Sequence, residues 1–181
     1  MKILIASDIH GDYDCARKMI DAFLKNECDE ILILGDILYH GPRNDLPAGY
    51  NPKKVIELLN GYKDKITAVR GNCDAEVDQM VLDFPIRSDY VKLVDGEVKM
   101  FATHGHIFEK TNLPKLAVGE HFLQGHTHLI TNEELENGGR ILNPGSVSIP
   151  KGGNPKSYMI YESGQVTCYT LEGEKIFVQS L

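Results

Sequence analysis

The stretch KILIASDIHG, residues 2–11, begins as an unbroken aliphatic run and ends in polar residues. Apolar residues that do not alternate with polar ones are typical of a strand covered on both faces of its sheet. Asp8 and His10 follow directly where this strand would end, and a carboxylate and an imidazole two residues apart can bind one cation. Taken alone, the same residues also fit a polar turn in which Asp8 caps the next helix.

The first half of the chain alternates short aliphatic runs with amphipathic segments. Strands are predicted at 3–6, 30–34 and 66–69, and helices at 13–25 and 52–62. This order predicts a parallel sheet built by right-handed crossovers, so that all three strand ends lie along one edge. In sheets of this kind, ligands bind beyond that edge.

The second half of the chain is predicted to consist mainly of strands. A hairpin is expected over 90–103, with its turn at Asp95 and Gly96. The other predicted elements are a short helical segment at 75–82 and strands at 121–123, 130–134, 140–142, 157–161, 166–171 and 175–179. A chain of 181 residues that is 42% hydrophobic can bury a proper core, and this length predicts a single domain, residues 1–181.

The composition excludes several classes of function. The formal net charge of -7 argues against nucleic acid or an anionic membrane as the main partner, because both require a basic face. The N-terminal apolar run is broken at Asp8, too early for a signal peptide or a membrane span, so a cytoplasmic location is predicted. The four cysteines are widely spaced and predict neither a zinc knuckle nor a disulfide framework.

Side chains that can bind metals recur at five of the predicted strand ends. They are Asp8 with His10, Asp36, Asn72, His104, and His126 with His128. Any one of them alone would be an ordinary capping Asp or a core His. Seven nitrogen and oxygen donors exceed what one first-row cation accepts, whereas two cations that share a carboxylate would use all of them.

Five short motifs, taken together, resemble those of the calcineurin-like metallophosphoesterases over nearly the whole chain. They are Asp8-Ile9-His10, Gly35-Asp36, Gly71-Asn72-Cys73-Asp74, His104-Gly105-His106 and Gly125-His126-Thr127-His128. Within that superfamily the chain resembles the YfcE-type phosphodiesterases, through HGPRN at 40–44 and NPGSVS at 143–148. The resemblance implies an α/β fold in four layers, an α/β/β/α sandwich.

The resemblance also implies two divalent metal ions in each chain. One ion would be held by Asp8, His10, Asp36 and His128, and the other by Asp36, Asn72, His104 and His126, with Asp36 as the bridge. Two such ions can polarise a phosphoryl oxygen and hold a bridging hydroxide as the nucleophile for in-line attack on the phosphorus. These donors suit Mn, Fe, Ni or Zn, and Mn is the first expectation by resemblance.

Further residues near the motifs are candidates for contact with a substrate. His40 and Arg43 lie on a long connection, and His106 follows a predicted metal ligand by two residues. All three could hold phosphate oxygens, although His40 and Arg43 also fit a solvated loop. The candidate catalytic residues are Asn72, Cys73 and His106.

Cys73 departs from the pattern of the wider superfamily. Many members have His at this position, and that His is thought to help protonate the leaving group, oriented by the acid that follows it. Asp74 is present in this chain but has no imidazole to orient. The Cys73 thiol could donate a proton itself or simply line the pocket, and we favour pocket lining.

The sequence therefore predicts a metal-dependent phosphodiesterase that acts on small phosphodiesters. The alternative from another class is a protein-binding scaffold of the same fold, as in the Vps29-like relatives. Retention of all seven donor positions favours the enzyme, because a scaffold does not need metal-binding chemistry. A nuclease is a second alternative, disfavoured by the net charge of -7. A homo-oligomer is compatible with the sequence.

Overall fold

In a computed structural model that describes residues 1–181, the chain folds into eleven strands and three α-helices. The strands are β1 (Lys2–Ala6), β2 (Glu30–Ile33), β3 (Ile66–Ala68), β4 (Tyr90–Asp95), β5 (Val98–Thr103), β6 (His121–Leu123), β7 (Ile130–Glu134), β8 (Arg140–Pro144), β9 (Ser157–Glu162), β10 (Gln165–Thr170) and β11 (Lys175–Ser180). The helices are α1 (Tyr13–Lys25), α2 (Pro52–Asn60) and α3 (Glu76–Gln79), with a 3-10 turn at Lys63–Lys65. No helix of this fold combines the length and the apolar character that crossing a membrane requires.

The first sheet contains six strands in the order β11-β10-β9-β1-β2-β3. β1, β2 and β3 are parallel, as the alternation of strands and helices predicts. β9 runs antiparallel beside β1, and β10 and β11 continue the sheet in antiparallel fashion. The ends of β1, β2 and β3 therefore lie side by side along one edge.

The second sheet contains five strands in the order β4-β5-β6-β8-β7. β5, β6 and β8 are parallel, while β4 and β7 pair with them as antiparallel edge strands. The ends of β5 and β6 thus share an edge in the same way as those of the first sheet.

Both faces of β1 are buried, which explains its unbroken aliphatic run. Leu4 and Ala6 pack into the core shared with α1 and α2, whereas Ile3 and Ile5 pack into the core shared with the second sheet. Each of these four side chains is no more than 1% exposed. The central strand is therefore held from two sides, and its polar end is rigidly placed.

The outer face of the second sheet is covered by chain that is not helical. Phe101 and Phe122 on this face pack against Phe108, Leu113 and Leu116 from the connection between β5 and β6. The predicted α/β sandwich fold is confirmed, and its fourth layer is this apolar connection. No helix forms there, because Pro114 and the turn at Gly119 divide the connection into short pieces.

Several predicted boundaries differ from those observed, and two of the differences have a visible cause. β8 extends to Pro144, beyond the predicted end at 142, because Thr131 and Ile130 of β7 pair with Asn143 and Pro144. The helical segment predicted at 75–82 is only the four residues of α3. The Gln79 side chain donates to two backbone carbonyls and accepts from the N–H of Ile86, and these hydrogen bonds stabilise a turn directly after α3.

Candidate metal centre

The two sheets bring all seven predicted metal ligands together. The ligands lie just beyond the ends of five strands: Asp8 and His10 after β1, Asp36 after β2, Asn72 after β3, His104 after β5, and His126 and His128 after β6. Six of them are buried or half-buried, and Asn72 is exposed at the opening of the site. The convergence joins residues that are up to 120 positions apart in the chain (Asp8 to His128).

The first cluster of donor atoms surrounds the end of β1. Asp8 Oδ1 lies 3.3 Å from His128 Nε2 and 3.6 Å from His10 Nε2, and the two imidazole nitrogens are 3.4 Å apart. Asp36 Oδ2 is 3.7 Å from His10 Nε2. Donor atoms at these separations can share one cation with bonds of about 2 Å.

The second cluster shares Asp36 with the first. Asp36 Oδ2 is 3.5 Å from His104 Nε2, which is 3.1 Å from Asn72 Oδ1 and 3.3 Å from His126 Nδ1. The same carboxylate oxygen therefore faces an imidazole of each cluster. Asp36 therefore lies between the two groups of donors, at the position that the family resemblance implies for a bridging ligand.

Backbone carbonyls orient three of the four imidazoles. In each of these rings Nδ1 lies close to a carbonyl oxygen and so carries the proton, which leaves Nε2 free to bind a metal. The pairs are His10 with Tyr39 at 2.7 Å, His104 with Leu34 at 2.6 Å and His128 with Ile149 at 2.6 Å. His126 is different, because its Nδ1 is the atom that points into the second cluster.

The oxygen Asp8 Oδ1 is buried and has no hydrogen-bond partner. A buried carboxylate oxygen without a partner is costly, and a cation in the first cluster would satisfy it. The donors of the two clusters are imidazole, carboxylate and amide groups, which suit Mn, Fe, Ni or Zn. The residues of both clusters therefore fit divalent metal ions.

The electrostatics of the clusters also favour bound cations. Burial would raise the pKa of Asp8, but the nearby imidazoles of His10, His128 and His104 outweigh burial, and the pKa lies well below its usual range. Burial lowers the pKa of His104, yet the carboxylates of Asp36 and Asp8 raise it to about 9. The two buried carboxylates thus hold positive charge close to them.

Five of the seven ligands have left-handed backbone conformations, which are uncommon for residues other than glycine. Their φ angles are 57° at Asp8, 48° at His10, 55° at Asp36, 65° at His126 and 58° at His128. Such conformations cost free energy and persist only where the surroundings enforce them. The backbone at these strand ends is therefore strained in order to aim the side chains at one place.

Residues of the NPGSVS segment form hydrogen bonds with the backbone that carries the ligands. Ser146 and Ser148 both donate to the carbonyl oxygen of Asp8, at 2.8 Å and 2.9 Å, and Asn143 donates to the carbonyl of Gly125 at 2.8 Å. The sequence marked this segment only as part of the family pattern. Its hydroxyl-rich composition at a predicted strand end was the signal for this supporting role.

Asp74 ties the end of β2 to the end of β3. Its carboxylate accepts hydrogen bonds from the backbone N–H groups of Asp36, Ile37 and Gly71, at 2.7 Å to 2.9 Å. Asp74, which has no imidazole to orient, therefore holds backbone groups instead. Residue 71 must be glycine for these hydrogen bonds to form, because a Cβ there would lie 2.1 Å from Asp36 Oδ1.

Cys73 lies against the bridging carboxylate. Its backbone N–H donates to Asp36 Oδ1 at 2.8 Å, and its thiol accepts from the amide of Asn72 at 3.2 Å. Burial, followed by the negative charge of Asp36, raises the pKa of the Cys73 thiol to about 12. The thiol is therefore protonated at neutral pH.

The other candidate residues lie at different distances from the clusters. Arg43 lines the cleft above the clusters, together with Lys151, which the sequence analysis did not single out. The signal for Lys151 was the Gly-rich loop that it begins. His106 lies with its ring 5.3 Å from the ring of His104 and does not line this cleft.

His40 is also outside the cleft. Its ring lies between those of Tyr39 and Tyr50, at centroid distances of 4.7 Å and 5.4 Å. Its carbonyl oxygen accepts a hydrogen bond from the side chain of Asn44, a residue that does line the cleft. His40 therefore contacts the site through its neighbours.

Comparisons with known proteins show which family and fold the chain resembles. The family model of the calcineurin-like phosphoesterase superfamily domain matches residues 1–165. The chain is 45% identical to Phosphodiesterase YfcE of Escherichia coli strain K12, over 99% of this chain and 97% of the relative. A solved structure of the E. coli phosphoesterase YfcE superposes with a TM-score of 0.96 at 44% identity and covers 99% of both chains.

More distant structures share the fold. Vacuolar Protein Sorting 29 of Cryptosporidium parvum superposes with a TM-score of 0.62 at 19% identity, covering 99% of this chain and 91% of that one. A likeness at this level of identity reports only the fold. The match over residues 1–165 and the 45% identity over nearly the full length show that the chain belongs to the calcineurin-like phosphoesterase superfamily.

Proposed function

We propose that this protein is a metal-dependent phosphodiesterase that hydrolyses small phosphodiesters. The observation that carries the proposal is the convergence of seven donor side chains in two clusters that share Asp36. A relative that is 45% identical carries the name phosphodiesterase, which supports the same reaction class.

The proposed cofactor is a pair of divalent ions, one in each cluster, with Asp36 as the common ligand. Mn is the first candidate by family resemblance, and Zn, Fe or Ni would suit the same donors. When bound, such ions supply Lewis-acid activation of the phosphoryl group and of the attacking water. Asp8, His10 and His128 would hold the first ion, and Asn72, His104 and His126 the second.

The residues that surround the clusters have separate proposed roles. Arg43 and Lys151 place positive charge at the cleft, where they would hold the non-bridging phosphate oxygens. Cys73 would line the cleft beside the substrate. His106 would influence the reaction through His104, whose ring lies 5.3 Å away. His40 would act indirectly, because it packs against aromatic rings outside the cleft.

The alternative functions have weaker support. A protein-binding scaffold related to Vps29 shares the fold but has no need of an unpartnered buried carboxylate oxygen such as Asp8 Oδ1. A nuclease would need a basic face, whereas the formal net charge is -7. The four cysteines are unpaired, which supports a cytoplasmic location for the enzyme.

The proposal can be tested by metal analysis and turnover of the same preparation. Metal content is measured after loading with Mn, Zn, Fe or Ni, and rates are measured on a panel of diesters and monoesters. We expect two metals per chain and faster turnover of diesters than of simple alkyl monoesters. Protein that binds no more than one metal, or that turns over no ester with any of them, would refute the proposal.

A matched pair of histidine variants provides the control. His126→Gln removes a donor of the second cluster. His121→Gln changes the first residue of β6, the strand that leads to His126, and the Nδ1 of His121 accepts a hydrogen bond from the N–H of Arg140. We expect the first variant to lose metal and activity, and the second to keep both. Equal loss in the two variants would show that the effect is one of folding.

A further inference from the structure

An apolar groove lies directly beside the cleft that holds the metal clusters. It runs between α2, the connection before α2, and α3, and its volume is about 350 Å³. We call it the aryl groove, and it is lined mainly by Leu38, Tyr39, Tyr50, Ile56, Val77 and Val81. Its size is within the range of small-molecule sites.

Cys73 separates the aryl groove from the metal cleft and lines both of them. The Cys73 sulfur lies within 4.8 Å of donor atoms of His10 and Asp36. A group attached to a phosphate at the clusters would therefore need to pass only one side chain to enter the groove. The groove is thus adjacent to the candidate reaction centre, with Cys73 between them.

The wall of the groove is apolar and aromatic although it is open to solvent. Tyr39 is 41% exposed, Val77 is 60% exposed and Val81 is 41% exposed. The ring of His40 packs edge-to-face between Tyr39 and Tyr50, with interplanar angles of 71° and 82°, and so fixes both tyrosine rings. Exposed apolar side chains grouped around a concave surface mark a binding site rather than a random surface.

We propose that the aryl groove binds a flat, apolar ester group of the substrate, and that the enzyme therefore prefers phosphodiesters that carry an aromatic group. This assignment rests on the proposed phosphodiesterase function. The metal clusters, Arg43 and Lys151 would bind the polar phosphate oxygens. The groove, on the other side of Cys73, has only two charged lining residues, Lys53 and Asp78. An aromatic ring buries a large apolar area and packs well against tyrosine rings.

The groove favours a small group over a protein segment for two reasons. It ends at Cys73, where a phosphate-linked group would enter, and its 350 Å³ accommodates one or two rings. A second copy of the chain covering Val77 and Val81 is the competing occupant, and the oligomeric state tests it.

The test compares the binding of phenylphosphonate and methylphosphonate to the metal-loaded protein by calorimetry. Both ligands carry one phosphonate and cannot be hydrolysed, so that only the apolar group differs. We expect phenylphosphonate to bind about tenfold more tightly, because a ring in a half-open groove loses only part of its exposed apolar area. Equal affinities would overturn the assignment.

The double variant Val77→Ser/Val81→Ser removes the apolar wall without touching a donor or the core. We expect the phenyl preference to fall to about threefold or less, with a higher KM and an unchanged kcat for bis(4-nitrophenyl) phosphate. Met80→Ser is the matched control, because Met80 is 82% exposed beside Val81 but does not line the groove. A preference that survives in the double variant, or that is lost equally in Met80→Ser, would overturn the assignment.

Further outcomes separate this inference from the proposed function. If no diester is turned over but the phenyl preference is present and depends on Val77 and Val81, the phosphodiesterase proposal fails and the groove assignment stands. If turnover is normal and the preference is absent, the groove assignment fails alone. Light scattering that shows an oligomer which the double variant dissociates would assign the groove to a second copy instead.

Discussion

Asp74 provides the sharpest test of how the strand ends are held in place. Its carboxylate accepts three backbone hydrogen bonds, from Asp36 at 2.9 Å, Ile37 at 2.8 Å and Gly71 at 2.7 Å. In Asp74→Ala all three N–H groups lose their acceptor. The perturbation therefore acts on the backbone of the proposed bridging ligand without removing any metal donor.

The expected loss of stability follows from these three hydrogen bonds. A hydrogen bond to a charged group contributes about 1.5–3 kcal/mol, so the three together would set an upper bound of about 9 kcal/mol. Water that enters beside Asn72, which is exposed, would satisfy some of the freed N–H groups. We expect the free energy of unfolding to fall by about 3–5 kcal/mol.

The measurement is urea unfolding of the chelator-treated protein, followed by metal titration of the folded variant. We expect metal affinity to fall together with stability, because Asp36 is no longer held at its left-handed backbone conformation. Asp83→Ala is the matched control, since its carboxylate is 55% exposed in an ion pair with Lys63, and it should cost less than about 1 kcal/mol. If the free energy of unfolding of Asp74→Ala falls by less than about 1 kcal/mol and its metal affinity is unchanged, Asp74 does not hold the ends of β2 and β3 in place.

Three further predictions concern other parts of the molecule. Asp36→Asn should lower metal content and rate more than the loss of a donor used by only one metal. The rate should fall by more than about a hundredfold relative to the unchanged protein. Two bound metals with near-normal turnover would contradict the bridging role. Cys73→Ser should keep the metal content and change the rate by less than about tenfold, as measured with nitrophenyl diesters, and a larger change would give the thiol a catalytic role. Burial alone would raise the pKa of Glu120. The hydrogen bonds from the N–H of Ala117 and from Lys92 outweigh burial and hold the pKa below its usual 4.5. Glu120→Gln should therefore lower the free energy of unfolding by about 1 kcal/mol at pH 7. Urea unfolding should show this difference shrinking as the pH falls from about 5 to 3, because the Glu120 carboxylate becomes protonated. A difference that stays constant with pH would contradict the lowered pKa of Glu120.

The positions of the strands and of most helices could be predicted because they depend on local patterns. The run Ile3–Ala6 has no polar residue because both of its faces are covered, and that requirement is visible in the sequence itself. The parallel order of β1, β2 and β3 followed from the alternation of strands and helices. The helical segment predicted at 75–82 was too long, because α3 ends where the Gln79 side chain hydrogen-bonds to residues further along the chain.

The donor residues of the candidate site were also visible, since each follows an apolar run. The sequence did not show the strain at Asp8 and His10, whose positive φ values depend on contacts from distant segments. Nor did it show that Asp74 binds three N–H groups, because a carboxylate beside a motif has the same local pattern whether it orients a side chain or holds the backbone.

By itself, the sequence determined which residues end the strands and which atoms they offer to a metal. Only the tertiary structure decided that β9 lies antiparallel beside β1, that non-helical chain covers the second sheet, and that an apolar groove adjoins the metal cleft. Burial and periodicity are properties of a few consecutive residues, so a sequence displays them directly. The pairing of distant strands and the shape of the space between segments depend on packing across the whole chain, and no short stretch of sequence contains that information.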